Sequence, residues 1–340
     1  MMKMIRKLLF PFSLIYGFVV WIRNWLFDIG FLKSYSFDIP IIAVGNLSVG
    51  GTGKTPQIEY LIRLLSENYK IAVLSRGYKR QSKGFVLADA TATATTIGDE
   101  PFQYFQKFKK IQVAVDANRK NGIEQMLALP NAPEIMLLDD AFQHRKVKAG
   151  LYILLTTYND LYCDDCILPA GNLRESKFGA KRADLIIVTK CPKNLSTNEQ
   201  GLIKDKLKLQ LRQSLFFSFI DYDDHAISQN KIVKVEELRA KEKVIVAGIA
   251  KPTPFVNFIK NNEDEVLIFP DHHPFTEKDL NEIDRKSENK IIITTEKDYV
   301  RLQDTFLTGK LFYLAIKSSF IEKEILFKDK ILNFIDKFTS

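Results

Sequence analysis

The sequence predicts an α/β fold, a parallel sheet covered on both faces by helices, followed by a second, smaller domain of the same kind. Three observations carry this. Short apolar runs such as Ile41–Val44 and Ile135–Leu138 recur without polar alternation, the mark of strands buried on both faces. Helical patterns such as Lys54–Leu65 and Arg119–Leu129 lie between them. A length of 340 residues, with 46% hydrophobic and 26% charged, suggests two domains or one large one and excludes a wholly disordered chain.

Residues 1–36 stand apart. Asp28 is their single acidic residue, against Lys3, Arg6, Lys7, Arg23 and Lys33, and Leu8–Ile22 is uncharged and rich in aromatics. As a helix that run is about 22 Å long, short of the roughly 30 Å hydrocarbon core. Basic ends with Tyr16, Trp21 and Trp25 suit a helix lying in a membrane interface. A core helix packed on its own domain is the alternative, and the two are compatible, because one face can pack while another meets lipid. A secretory signal is disfavoured, since bulky Trp21-Ile22-Arg23-Asn24-Trp25 stands where small residues would be cleaved. The chain has no uncharged apolar run of 18 residues and is not expected to be polytopic.

The next strands are Ile41–Val44, Ile71–Leu74, Gln112–Val115, Ile135–Leu138, Leu151–Leu155 and Leu185–Val188. Beyond residue 213 the pattern loosens: Leu215–Tyr222 and Lys231–Val235 read as strands around polar Asp223–Asn230. Val244–Ala247, Val266–Phe269, Ile291–Thr294 and Leu311–Leu314 then alternate with helices again, and Phe320–Phe338 reads as a closing amphipathic helix. The expected divisions are a helix region at 1–36, a first domain at 37–214, a β linker at 215–235 and a second α/β domain at 236–340.

The strongest motif follows the first strand: Gly45-Asn46-Leu47-Ser48-Val49-Gly50-Gly51-Thr52-Gly53-Lys54-Thr55-Pro56. Between a strand and a helix, Gly50, Gly51, Thr52 and Gly53 let backbone N–H groups curl around phosphate oxygens. Lys54 reaches the β/γ-phosphates and the Thr55 hydroxyl takes Mg²⁺. Ser48 occupies the first glycine position of the P-loop pattern. A glycine turn that binds nothing is the alternative, and the strand–helix context argues against it. The partner is Ile135-Met136-Leu137-Leu138-Asp139-Asp140, an apolar strand ending in two carboxylates suited to hold Mg²⁺ beside the phosphates. The first domain is therefore P-loop NTPase-like, with ATP and Mg²⁺ as expected cofactors.

GTP is disfavoured: Thr189-Lys190-Cys191-Pro192 has Pro where guanine recognition places a carboxylate. The glycine run also resembles partition-type ATPases, but Val49 stands where they carry a second lysine. For an acceptor, Gly98-Asp99-Glu100-Pro101 offers carboxylates in a turn, and Asp271-His272-His273 a carboxylate beside histidines. Neither the latter nor Cys163-Asp164-Asp165-Cys166 has the spacing of a zinc site. A net charge of +8 favours anionic partners, yet no nucleic-acid recognition module is present, and three cysteines imply no disulfide framework.

Together these residues resemble one family, the tetraacyldisaccharide 4'-kinases of lipid A biosynthesis. The matching elements are the loop 45–56, Ser75-Arg76-Gly77-Tyr78, Gly98-Asp99-Glu100-Pro101, Asp139-Asp140-x-Phe142-Gln143-His144-Arg145, Gly171-x-Leu173-Arg174-Glu175, Phe269-x-Asp271-His272 and Thr295-x-Lys297-Asp298. The resemblance implies two α/β/α sandwiches joined by a short β linker. It implies transfer of the ATP γ-phosphate to the 4'-hydroxyl of a tetraacylated glucosamine disaccharide 1-phosphate. It places the protein peripherally on the cytoplasmic face of a bacterial inner membrane, with the acylated disaccharide and the anionic membrane surface as partners and with neither nucleic acid nor a protein partner implied. By motif, Asp99 is the expected catalytic base and His272 its partner. Lys54 and Thr55 bind phosphate and metal, Asp139 and Asp140 hold the metal, and Arg119 and Arg174 contact substrate phosphates. Ala141 and Ser176 depart from the common Gly and Pro, and Ser176 predicts a less rigid loop. The competing function is a membrane-recruited P-loop ATPase acting as a switch.

Overall fold

Strand and helix alternate as the apolar pattern requires. The computed structural model describes residues 8–229, 231–271, 273–288 and 290–339. In order they form α1 (Phe10–Asp28), β1 (Ile41–Asn46), α2 (Lys54–Leu65), β2 (Ile71–Ser75), β3 (Val86–Leu87), α3 (Ala94–Ile97), α4 (Asp99–Lys107), β4 (Gln112–Val115), α5 (Arg119–Leu127), β5 (Ile135–Asp139), β6 (Leu151–Thr157), β7 (Leu185–Thr189), α6 (Thr197–Leu207) and β8 (Ser214–Ile227). There follow β9 (Ile232–Lys234), α7 (Val235–Arg239), β10 (Lys243–Ala247), α8 (Thr253–Ile259), β11 (Glu265–Ile268), α9 (Glu277–Ser287), β12 (Ile291–Thr295), α10 (Glu296–Leu302), β13 (Leu311–Phe320) and α11 (Glu324–Thr339). Two compact units result: residues up to Ile220 together with those from Ser318 on, and Asp221–Lys317.

In the first unit the strand order is β3-β4-β2-β5-β1-β6-β7-β8. All neighbours are parallel except β3 on β4. Alternate residues of β1 serve opposite faces. Ile42 and Val44 pack with Ile58, Leu61, Ile62 and Leu65 of α2, whereas Ile41 and Ala43 pack with Ile123 and Met126 of α5. Each such large side chain contributes roughly 1.5–3 kcal/mol by leaving water. Truncating wholly buried Leu61 to Ala would cost about 2–5 kcal/mol.

The second unit has the strand order β11-β10-β12-β13, parallel throughout. Ile245 and Ala247 pack toward α7 and α8, Val244 and Val246 toward α9 and α10. It too is a three-layer α/β/α unit.

Three boundaries differ from the sequence reading. Asp223–Ile227 continues β8, because Ala226 and its neighbours pair antiparallel with β9. β13 runs on to Phe320, so the closing helix begins at Glu324. That helix does not belong with residues 236–317: Phe320, Phe327, Ile331 and Ile335 are buried in the α2-side core of the first unit. Hydrophobic period identifies a helix but not which sheet its apolar face will meet.

Candidate active site

The P-loop leaves β1 at Gly45, where a Cβ would come within 2.7 Å of the Phe142 Cβ. Gly50 (φ +109°) and Gly53 (φ +86°) adopt the positive φ that side chains resist. The loop is clamped on two sides. Val49 N–H donates to Asn172 O (2.8 Å), and Arg174 N–H to Leu47 O (2.7 Å). From the end of β7, the Thr189 hydroxyl donates to Thr52 O (2.7 Å) and the Lys190 ammonium to Gly51 O. Thr52 Oγ1 is buried without a partner among the described residues. Lys54 and Thr55 open α2, where Pro56 costs no helical hydrogen bond because first-turn N–H groups have no intrahelical acceptor.

β5 lies beside β1, with Asp139 in register with Val44. That pairing brings the carboxylates to the phosphate loop. Asp139 accepts from the Ser75 hydroxyl at 3.3 Å through Oδ2, while its Oδ1 is buried and unpartnered among the described residues. Burial, then the charge of Asp140, pushes its pKa up to about 6. Asp140, at φ +48°, leaves the strand and meets Lys54 Nζ at 3.4 Å and Arg174 at 3.0 and 2.8 Å. Burial opposes its ionisation, but Lys54 and Arg174 outweigh it and hold the pKa below the ordinary carboxylate value. Lys54 Nζ also lies 3.3 Å from Asn46 Oδ1. One carboxylate is thus neutralised by protein cations and the other keeps an oxygen free.

Asp99 is the first residue of α4, preceded by Gly98 at φ +95°. A Cβ at Gly98 would meet Tyr78 O at 3.1 Å and Gly77, so the Gly98-Asp99 and Gly77-Tyr78 motifs are in contact. Ser75, at the end of β2, joins them to Asp139.

Arg174 meets Asp140, whereas Arg119 is buried. It is 2% exposed and donates to Asp116 O (2.7 Å) and Asp139 O (3.1 Å), bracing the ends of β4 and β5. Expected as a substrate-phosphate contact, it is the first residue of α5 with its guanidinium on two main-chain carbonyls. His144 is likewise inward, its pKa pushed down to about 4 by burial and then by Arg119 and Arg76. His272 lies outside the described residues. His273 bonds Asp279 at 2.9 Å and stacks on Phe269. Ser176 caps the short 3-10 helix Lys177–Arg182, its Oγ accepting from Phe178 N–H at 3.4 Å. Neighbouring Glu175 is cross-linked to Asn24, Gln143 and Arg182.

α1 has 19 residues, about 28 Å, long and apolar enough to cross a bilayer by length and composition, and longer than the Leu8–Ile22 run suggested. Its polar contacts with the first unit are spread along it. Ser13 Oγ accepts from Ala170 N–H at 2.9 Å and the Tyr16 hydroxyl donates to Arg174 O at 2.9 Å. Arg23 donates to Gln143 O (2.9 Å), Asn24 to Glu175 Oε2 (3.0 Å), and Arg145 to Asn24 O (2.7 Å). Gly17 lets the helix approach, for a Cβ there would lie 3.2 Å from Ile167. Phe12, Ile15, Phe18, Val19 and Trp21 remain about 60% exposed. Sequence reasoning missed Asn24, Gln143 and Glu175 as a group; the signal was a polar Asn inside an aromatic run.

Comparison with known proteins agrees with this geometry. The sequence matches the family described as tetraacyldisaccharide-1-P 4'-kinase over residues 5–336. It is 60% identical to the tetraacyldisaccharide 4'-kinase of Flavobacterium psychrophilum, covering 100% of this chain and 99% of that protein. It is 49% identical to that of Bacteroides thetaiotaomicron, covering 88% and 83%. A crystal structure of LpxK from Aquifex aeolicus in complex with ATP superposes with a TM-score of 0.79 at 31% identity, covering 97% of this chain and 99% of that one. A P-loop clamped beside paired carboxylates, on a chain matched from end to end, places this protein in the tetraacyldisaccharide 4'-kinase family.

Proposed function

We propose that this kinase transfers the γ-phosphate of ATP to the 4'-hydroxyl of a tetraacylated glucosamine disaccharide 1-phosphate held in a membrane surface. One observation carries the reading: Lys54, Asp139, Asp140 and Arg174 converge at the adjoining ends of β1 and β5, beneath a helix whose outward face is apolar. Phosphoryl transfer asks a protein for positioning and charge neutralisation more than for covalent chemistry.

In this mechanism the amides of Gly50, Gly51, Thr52 and Gly53 cradle the phosphate chain and Lys54 neutralises the group in flight. Mg²⁺ fits the residues present. Such an ion takes phosphate and water oxygens for most of its shell and needs one or two from the protein. The Thr55 hydroxyl and the buried, unpartnered Asp139 Oδ1 are suited to supply them, and Asp140 adds charge nearby. When bound, the ion supplies electrostatic stabilisation of the phosphates. Arg174, held through Asp140, is placed to meet substrate phosphate oxygens, while Arg119 keeps the Asp139 main chain in position. Asp99 accepts the proton of the attacking hydroxyl. His272 enters through the family motif alone, and His272→Ala tests it.

The proposal includes a peripheral position on the cytoplasmic face of the inner membrane. Polar contacts from Ser13 to Arg145 hold α1 along the first unit. A helix held this way lies in the interface with its aromatic side in lipid instead of crossing. The test is transfer of labelled γ-phosphate to a tetraacyl disaccharide 1-phosphate in mixed micelles with Mg²⁺, beside a Lys54→Ala control. A labelled lipid that disappears in the control is expected. Lipid-stimulated phosphate release without labelled lipid would instead indicate a membrane-recruited ATPase.

A further inference from the structure

α2 and α4 each carry chemistry at their N-termini, Lys54 and Thr55 on one and Asp99 on the other. Deeper in the fold they are joined by a buried carboxyl side chain that catalysis does not otherwise use. Glu59, one turn below Thr55 on α2, is 1% exposed. Its Oε1 accepts from Gln103 Nε2 at 2.9 Å, and its Oε2 from Lys107 Nζ at 2.7 Å and Arg63 at 2.8 Å. Gln103 and Lys107 are one turn apart on α4, so one carboxylate grips α4 at two levels. Tyr104 of α4, wholly buried, lies in the same apolar core as Ile58, Leu61 and Ile62 of α2.

We infer that Glu59 is a positioning residue. It ties the helix that carries the proposed base to the helix that carries the phosphate-binding lysine, and so fixes Asp99 relative to the transferred phosphoryl group. The inference rests on the reading of Asp99 as the base. The physical case is one of cost. Burying a carboxylate is expensive and is sustained here by three donors, two of them cationic. An apolar residue would fill the same space without that cost, but would not fix the distance between two helices to the tolerance that proton transfer needs. Gln103 and Lys107 face Glu59 from α4, and Arg63 faces it from α2 itself.

The test is a double-mutant cycle on the full chain in mixed micelles, with nucleotide affinity measured separately using a fluorescent ATP analogue. Glu59→Ala should lower kcat about 10- to 100-fold while leaving nucleotide affinity within about 2-fold, the signature of misplacement instead of lost binding. Glu59→Gln, which keeps size and can still bond Gln103, should recover most of the loss, and Gln103→Ala should fall between. In an Asp99→Asn background, Glu59→Ala should have little further effect, because the residue it positions is gone. Full loss in that background, or loss of nucleotide affinity matching the loss of kcat, would overturn the inference and leave Asp99 as base. If Glu59→Ala fails to fold, Gln103→Ala and Glu59→Gln in the same cycle decide. Near wild-type turnover of Asp99→Asn itself would instead sink the base assignment, and this inference with it.

Discussion

The phosphate end of the first unit and its N-terminal helix are built on opposite plans. At the ends of β1 and β5 the charged groups face one another: Lys54 and Arg174 share Asp140, and Asp139 is sunk beneath them. Along α1 polar groups such as Ser13 and Asn24 face the protein, while Phe12, Ile15, Phe18, Val19 and Trp21 face away. The first plan fixes atoms. On the proposed membrane reading the second suits a fluid partner, since aromatic rings are favoured at headgroup depth. The reaction as proposed needs both, because the donor nucleotide is water-soluble and the acceptor is proposed to be held in a membrane surface. The two regions are linked by side chains: Asn24 donates to Glu175, which accepts from Gln143, which also donates to Asn46 O at the mouth of the P-loop.

The largest effects are expected at the phosphate end. Lys54→Ala and Asp139→Asn should each lower transfer about 10³-fold or more, measured as labelled lipid. For Asp139→Asn the stability should move the other way. The folded pKa of about 6 lies above the ordinary carboxylate value of 3.8, so the native state holds more protons than the unfolded one between those pH values. Stability therefore falls as pH rises through that window and stays lower above it. Removing the charge should stabilise the nucleotide-free enzyme at pH 7.5 by up to about 3 kcal/mol, with the difference vanishing toward pH 4. Thermal unfolding at both pH values checks this. An unchanged Tm at pH 7.5 would mean that Asp139 is not the strained carboxylate described. A site that is both strained and required is expected where activity is gained at the expense of stability.

A second substitution separates the plans. Phe18→Glu with Trp21→Glu alters only exposed rings, so unfolding should stay within about 0.5 kcal/mol of the parent per site. Binding to anionic vesicles should drop at least about 10-fold, and phosphorylation of vesicle-borne lipid with it, while ATP affinity holds. Vesicle flotation and transfer assays check both. Undiminished flotation would put the membrane contact elsewhere on the molecule.

Much of the first unit was legible because it obeys local rules. Strands buried on both faces cannot hide their apolar runs, and a phosphate loop must place its glycines where φ is positive. What was not legible depended on long-range packing. The closing helix α11 has the amphipathic period of any helix, and only the exposed apolar face of α2 and β8 decides that Phe327 and Ile331 pack there. Arg119 reads as a phosphate contact by motif, because spacing does not reveal that its side chain bonds the Asp139 carbonyl at the end of β5. Glu175 is in the family motif, yet its partners lie 151 residues away at Asn24 and 32 away at Gln143, beyond the reach of spacing arguments.

The smallest effect tests whether the two regions communicate or merely adjoin. Asn24→Ala removes one donor from Glu175 and leaves Gln143 and Arg182 in place. Losing one hydrogen bond to a buried carboxylate should cost about 1.5–3 kcal/mol of local order, less where water can enter. If α1 is only an anchor, Asn24→Ala should weaken vesicle binding slightly and leave turnover in detergent micelles unchanged. If the chain of bonds from Asn24 to Asn46 O keeps the phosphate loop in register, micellar kcat should fall about 3- to 10-fold with vesicle binding intact. The second outcome is expected. Every link in that chain is shorter than 3.1 Å, and its last acceptor, Asn46 O, belongs to the residue whose side chain contacts Lys54. On the proposed reading, a lipid-facing helix wired in this way reports its seating to the residue that contacts Lys54.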